Sequence, residues 1–205
     1  MRALVLVDLQ YDFLPGGALA VPRGDETLAV AQRLLPHFET VVATQDWHPP
    51  GHKSFAASHP GTSPGQVIDL GGLSQVLWPA HCVQGTRGAE LHDSLDRSRI
   101  TAVFPKGTNP EIDSYSGFFD NGRRQATGLG EWLAARGVTQ LYVLGLATDY
   151  CVKATVIDAL GLGHEVWVIE DGCRAVDLQP DDGEVALREM RGFGATVIHS
   201  GAIWS

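Results

Sequence analysis

The chain has 205 residues, of which 44% are hydrophobic, and a formal net charge of -9 at pH 7. This length and apolar content suit one compact domain, and we predict a single domain over residues 1–205. The negative charge and the scattered arginines disfavour a nucleic-acid partner, because such partners select basic stripes. The amino-terminal apolar run is interrupted by Asp8 and is too short for a signal or membrane segment, so we expect a cytoplasmic protein without a membrane partner.

Six short apolar runs rich in β-branched residues predict six strands. They are "ALVLVD" at 3–8, "TVVATQD" at 40–46, "ITAVFPK" at 100–106, "LYVLGLA" at 141–147, "EVWVIED" at 165–171 and "ATVIHS" at 195–200. The runs are nearly continuous, which is typical of parallel strands covered on both faces. Helical patterns separate them at 25–36, 124–136, 149–161 and 180–191. This alternation predicts an α/β fold, a doubly wound three-layer αβα sandwich around a mainly parallel six-stranded sheet.

A long stretch at about 46–99 interrupts this alternation. It is rich in Gly, Pro and His, and we expect it to be a largely irregular insertion with a function of its own. The three cysteines, Cys82, Cys151 and Cys173, form no CxxC pair and are odd in number, so free thiols are expected. The glycine-rich turns match no complete nucleotide-binding fingerprint, and no nucleotide cofactor is implied.

Polar side chains end four of the predicted strands. Asp8 ends the first, Asp46 ends the second and is followed by His48, and Lys106 ends the third. The fourth runs through "GLATDYC" to Cys151 at the opening of a helix. Ligands of open parallel sheets bind outside the carboxyl ends of the strands, so these side chains are expected to share one crevice.

Cys151 is a candidate nucleophile, because the positive end of a helix dipole and free backbone N–H groups favour a thiolate. Asp8 could take the thiol proton and return it to a departing amine, and Lys106 could hold Asp8 ionised. Each residue also has an ordinary interpretation. Cys151 could be a small buried hydrophobe, Asp8 a turn residue and Lys106 a solvated surface cation.

Asp46, His48 and His81 form a second candidate group. Two histidines and one carboxylate suit Fe(II), Mn(II) or Zn(II) and leave positions open for water or substrate. His52 is a fourth candidate ligand, whereas His59 is expected to be exposed or structural. The spacing matches no zinc-finger pattern, and histidines also gather in polar loops by chance.

Five segments together resemble the nicotinamidases (pyrazinamidases) of the isochorismatase-like cysteine hydrolases. They are "LVDLQYDFLPGGALAV" at 6–21, "TQDWHPPGHKSFAASHPG" at 44–61, "WPAHCVQGTRGAELH" at 78–92, "FPKGTNPEIDSYSGFFDNG" at 104–122 and "GLATDYCVKATVIDAL" at 145–160. The resemblance extends over essentially the whole chain. It implies a catalytic triad of Asp8, Lys106 and Cys151, and one divalent metal ion (Zn, Fe or Mn) on Asp46, His48 and His81, with His52 as a further candidate.

The resemblance also implies a cis peptide between Leu146 and Ala147, both of which would contact the substrate. The N–H groups of Ala147 and Cys151 would then form an oxyanion hole. The aromatic residues Phe13, Trp78 and Tyr115, which could otherwise serve core packing, match positions that line the nicotinamide pocket in the family.

The function implied by the resemblance is deamidation of nicotinamide to nicotinate and ammonia through a cysteine thioester in NAD salvage, with pyrazinamide as a further substrate. Another amide or a ureido substrate is the nearest alternative. Two others are a non-catalytic module with a structural metal and a metallohydrolase whose ion activates water. The sequence leaves open whether the chain forms a homo-oligomer.

Overall fold

The computed structural model describes residues 1–203, so Trp204 and Ser205, the last two residues of the predicted domain, lie outside the described residues. The strands are β1 (Arg2–Val7), β2 (Thr40–Asp46), β3 (Val67–Leu70), β4 (Leu73–Val76), β5 (Ala102–Lys106), β6 (Gln140–Leu146), β7 (Glu165–Arg174) and β8 (Thr196–Ile198). The α-helices are α1 (Glu26–Leu34), α2 (Leu129–Ala135), α3 (Lys153–Gly161) and α4 (Asp182–Gly192).

Six strands form one sheet in the order β5-β2-β1-β6-β7-β8, and every neighbouring pair is parallel. Successive residues of β1 from Ala3 to Val7 are all fully buried, which requires cover on both faces of the sheet. Helix α1 packs on β6 and β7, and α3 packs on β7 and on α4. The predicted α/β fold and its six strands are therefore confirmed.

The strand order reverses direction between β1 and β6. The chain runs outward from β1 through β2 to β5 on one side, and from β6 through β7 to β8 on the other. Doubly wound sheets bind ligands at such a switch point, beyond the carboxyl ends of the strands. Asp8 follows β1 directly, and the helical turn with Cys151 follows β6, so both side chains start from this point.

Two predicted elements differ from the structure. The stretch at 46–99 is not wholly irregular, because β3 and β4 form an antiparallel hairpin closed by Gly71 and Gly72, both at positive φ. Helix α2 begins at Leu129 instead of residue 124, since Gly128 before it has a φ of 93° and the preceding residues form turns. Among residues 1–203, no helix is both long and apolar enough to cross a bilayer.

Candidate active site

The buried side chains of Asp8 and Cys151 meet at the ammonium group of Lys106. Lys106 Nζ lies 2.9 Å from Asp8 Oδ2 and 3.4 Å from Cys151 Sγ, and it also donates to the backbone oxygen of Ser114 at 2.9 Å. Lys106 is 2% exposed, which is exceptional for a lysine and requires partners such as these. The structure therefore brings together the three residues that were predicted to form a triad.

Asp8 is oriented by its backbone and by a neighbouring strand. Its φ of 51° turns the chain sharply as β1 ends, and the residue is fully buried. Thr44 on β2 donates from Oγ1 to Asp8 Oδ1 at 2.6 Å, while the Asp8 N–H donates to the same hydroxyl at 3.3 Å. The carboxylate is thus held between a hydroxyl on one oxygen and an ammonium on the other.

Burial and charge act together on the ionisable groups of this triad. Burial raises the pKa of the Cys151 thiol well above its usual range, against the opposing effect of Lys106. Burial also raises the pKa of Asp8, again opposed by Lys106. Burial alone would lower the pKa of Lys106, but the carboxylates of Asp46 and Asp8 outweigh it and raise that pKa well above the usual value. Lys106 therefore keeps its proton, and the carboxyl and the thiol are the groups that can exchange one.

This result corrects the expectation that the start of the helix favours a thiolate. The thiol pKa moves upward because the residue is buried and two carboxylates lie nearby, and these effects exceed the opposing ones. Burial and the carboxylates thus favour the thiol over the thiolate. A reaction at Cys151 therefore needs a base within reach during the attack, which is the position that Asp8 occupies.

The predicted metal ligands also lie together. His48 Nε2 is 3.5 Å and His81 Nε2 is 3.7 Å from Asp46 Oδ2, and all three residues are buried. His48 Nδ1 bonds the Gly107 carbonyl at 2.9 Å, and His81 Nδ1 bonds the Pro79 carbonyl at 2.8 Å. A carbonyl only accepts, so each Nδ1 carries the proton and each Nε2 presents a lone pair to the cluster.

The donor set fits a divalent metal ion. His48 Nε2 is buried and has no hydrogen-bond partner among the described residues, as expected of a nitrogen that awaits a ligand. The two carboxylate oxygens of Asp46 have different partners. Oδ1 accepts a hydrogen bond from Lys106 at 2.6 Å, and Oδ2 faces the two histidines. Burial opposes ionisation of Asp46, but Lys106 and His48 outweigh it and hold its pKa well below the usual value. Asp46 thus links this cluster to Lys106.

His52 lies beside the cluster without joining it. Its ring centroid is 4.4 Å from that of His48, but Nδ1 bonds Ser54 Oγ and Nε2 bonds the Asn109 carbonyl, each at 2.8 Å. Both ring nitrogens are thus engaged, and ligation would require one bond to break. His52 as a metal ligand therefore stays a prediction, although it lies near His48 and Asp113.

An aromatic slot opens over Cys151. The predicted residues Phe13, Trp78, Tyr115 and Ala147 line it, and Asp46 and His81 face it as well. Trp78 Nε1 donates to the Tyr115 hydroxyl at 3.2 Å, which fixes the two rings relative to each other. A wider surface cleft beside Arg87 contains none of the predicted site residues.

The turn after β6 has the backbone that the resemblance implied. The peptide between Leu146 and Ala147 is cis. The Leu146 side chain is fully buried and does not line the slot. Only its backbone could therefore make the predicted contact with the substrate.

The sequence analysis missed several residues that complete the site. Tyr150 lines the slot and packs edge-on against Trp78 with ring centroids 4.8 Å apart. Asp113 and Thr44 bring polar groups to the slot and to Asp8. Gln10 bonds the backbone N–H and carbonyl of Asp46. Only Thr44 had a readable signal, because it lies two residues before Asp46 on the same face of β2.

A buried thiol, carboxylate and ammonium beside a metal-type cluster at the switch point of a doubly wound sheet are typical of hydrolases with a cysteine nucleophile. A model of the isochorismatase domain family matches residues 2–202, and the chain belongs to this family.

Relatives agree over nearly the full length. The chain is 56% identical over 200 residues to the nicotinamidase of Escherichia coli, an alignment that covers 96% of this chain and 93% of the relative. A solved nicotinamidase/pyrazinamidase of Acinetobacter baumanii superposes with a TM-score of 0.95 at 44% identity, covering 98% of this chain and 97% of the other. The zinc complex of Pyrococcus horikoshii pyrazinamidase gives a TM-score of 0.79 at 37% identity, with 97% and 98% covered.

Proposed function

We propose that this chain is a metal-dependent amidohydrolase that converts nicotinamide to nicotinate and ammonia through a thioester on Cys151, and that it also hydrolyses pyrazinamide. The observation that carries the proposal is the buried contact of Cys151 with Lys106, which is itself paired with Asp8, beneath an aromatic slot. Two relatives that align over 96% and 97% of this chain are nicotinamidases. The place of the reaction would be NAD salvage.

In the acylation step, Cys151 Sγ attacks the carboxamide carbon while its proton passes to Asp8. Asp8 then gives the proton to the departing nitrogen, which leaves as ammonia, and a nicotinoyl thioester remains. Lys106 stays protonated throughout and stabilises the ionised form of Asp8 before the attack. The backbone N–H groups of Ala147 and Cys151 are proposed to receive the oxyanion, a role worth about 3 kcal/mol per donor in comparable sites.

In the deacylation step, water attacks the thioester carbon and Asp8 takes a proton from it. The carbon–sulfur bond breaks and the sulfur regains its proton from Asp8, while the carboxylic acid product loses its remaining proton to solvent and leaves as nicotinate. Asp8 thus works as base and acid in turn. This suits a carboxyl group whose pKa is raised by burial, an effect that the paired ammonium of Lys106 partly opposes.

Asp46, His48 and His81 are proposed to hold one zinc, iron or manganese ion. When bound, the ion would supply a Lewis-acid contact for the ring nitrogen of the substrate. Its ligands lie in the same slot as the triad, so the ring and the carboxamide could be held at once.

We further propose that the chain folds as one domain with the metal-binding insertion at 46–99. Its three cysteines are free, which fits the reducing cytoplasm. No nucleic acid or membrane partner is proposed, and self-association is to be measured by sedimentation.

A substrate panel tests the proposal. The purified, metal-loaded enzyme should release ammonia from nicotinamide and pyrazinamide, and it should act far more slowly on isochorismate and on a carbamoyl compound. Turnover of the carbamoyl compound alone would instead support the alternative of a ureido-cleaving relative. Release from none of them would overturn the proposed function.

A further inference from the structure

Asp113 is a buried carboxylate whose protein partners are all neutral. It is 3% exposed and lines the slot together with Cys151. Ser114 N–H donates to Oδ1 at 2.8 Å, and Gln75 Nε2 from strand β4 donates to Oδ2 at 3.0 Å. Within residues 1–203 no lysine, arginine or histidine forms an ion pair with it. Burying a carboxylate without a cation is costly, so a cation bound nearby would stabilise Asp113.

The histidine cluster is the place where such a cation could bind. A carboxylate oxygen of Asp113 lies within 4.8 Å of a ring nitrogen of His48 and of His52. The nitrogens of His52 are taken by Ser54 and Asn109, whereas His48 Nε2 is buried without a partner. Asp113 therefore lies close to His48, whose Nε2 is a buried atom without a hydrogen-bond partner among residues 1–203.

The buried site holds more acidic than basic side chains. The carboxyl groups of Asp8, Asp46 and Asp113 lie in it with the single ammonium of Lys106. A divalent cation held by Asp46, His48 and His81 would add positive charge to this acidic site, with Asp113 among its neighbours.

We infer that Asp113 is a second carboxylate of the metal centre, a positioning residue that strengthens the binding of the divalent ion by its charge. Both of its oxygens are already held by Ser114 and Gln75, so it acts beside the three direct ligands and not as one of them. The inference rests on the metal centre proposed above. Neighbouring groups of this kind change metal affinity roughly 10- to 100-fold.

The test is the metal affinity of Asp113→Asn, measured by competition with a chromogenic chelator for Zn²⁺ and for Mn²⁺. Asp120→Asn is the matched control, because Asp120 is 9% exposed, lies in the same loop and accepts two backbone N–H bonds from Gly122 and Arg124. We expect affinity to fall 10- to 100-fold in Asp113→Asn and to stay within twofold of wild type in Asp120→Asn. Asp113→Glu should recover part of the loss.

Stability without metal separates a charge effect from a structural one. If Asp113 serves the ion, metal-free Asp113→Asn should unfold at the same or a higher denaturant concentration than metal-free wild type, because a repelling charge is gone. A clear loss of metal-free stability, or wild-type metal affinity in the variant, would overturn the inference. Wild type that binds neither ion would remove the metal centre itself, and that failure is visible before any variant is made.

Discussion

Replacing Thr44 by valine would remove the hydroxyl that donates to Asp8 Oδ1 at 2.6 Å and preserve the shape of the side chain. A hydrogen bond to a buried charged group contributes about 1.5–3 kcal/mol. If this bond stabilises the ionised base during the attack by Cys151, its loss should lower kcat/KM by roughly 10- to 100-fold, since about 1.4 kcal/mol is a factor of ten. The Asp8 N–H would lose its acceptor as well, which adds to the effect on stability.

The same substitution should move the pH profile in a defined direction. The Thr44 hydroxyl lowers the pKa of Asp8 against the larger raising effect of burial. Without it the pKa rises further, so the ionised base is lost at a higher pH and the acid limb of kcat/KM shifts upward.

Thr44→Ser is the control, because it retains the hydroxyl and loses only the methyl group that packs against Gly117. We expect the serine variant to keep most of its activity and an unshifted profile. Steady-state ammonia release across the pH range is the assay. A valine variant within twofold of wild type, with a superimposable pH profile, would refute the role assigned to this hydroxyl.

Two further contacts give predictions away from the nucleophile. In Gly107→Ala the new Cβ would lie 2.4 Å from His48 Cε1, so the ring should shift and the metal content per chain should fall. The backbone φ of 63° also disfavours alanine, so stability in denaturant unfolding should drop by about 1–2 kcal/mol or more. Full metal content in the variant would contradict this prediction. Hydrogen bonds from Arg23 and Arg174 lower the pKa of Glu26 from 4.5 to about 2. The stability that they contribute is present above pH 4.5 and lost as the pH falls towards 2. The difference in unfolding free energy between wild type and Glu26→Gln should therefore shrink over that range, and a constant difference would argue against the ion pairs.

The sequence was sufficient to predict the sheet and the approximate place of the triad. Continuous apolar runs distinguish strands covered on both faces, and parallel strands bring their carboxyl ends to one edge. Asp8, Asp46 and Lys106 each stand at such an end, so their meeting follows from the topology alone. The hairpin of β3 and β4 was missed although "LGGL" at 70–73 contains a two-residue glycine turn, a recognised hairpin signal.

The remaining parts of the site depend on paths that no local pattern encodes. Asp113 reaches the slot because the loop after β5 folds back over it and is bonded by Gln75. The ring of Tyr150 enters because the chain makes a π-helical turn over Thr148–Val152 before α3. His52 was predicted as a ligand from residue type and proximity, but the bonds that occupy its two nitrogens come from tertiary structure.

The central claim, covalent catalysis by Cys151, is tested most directly by ammonia release from nicotinamide in Cys151→Ala beside wild type, with both proteins loaded to the same metal content. The account predicts that the rate falls by about four orders of magnitude or more, as for the loss of a nucleophile. It also predicts that rapidly quenched wild type carries one nicotinoyl group on Cys151. A variant that retains most of the wild-type rate would contradict the account and indicate hydrolysis by metal-activated water, with the thiol as a bystander.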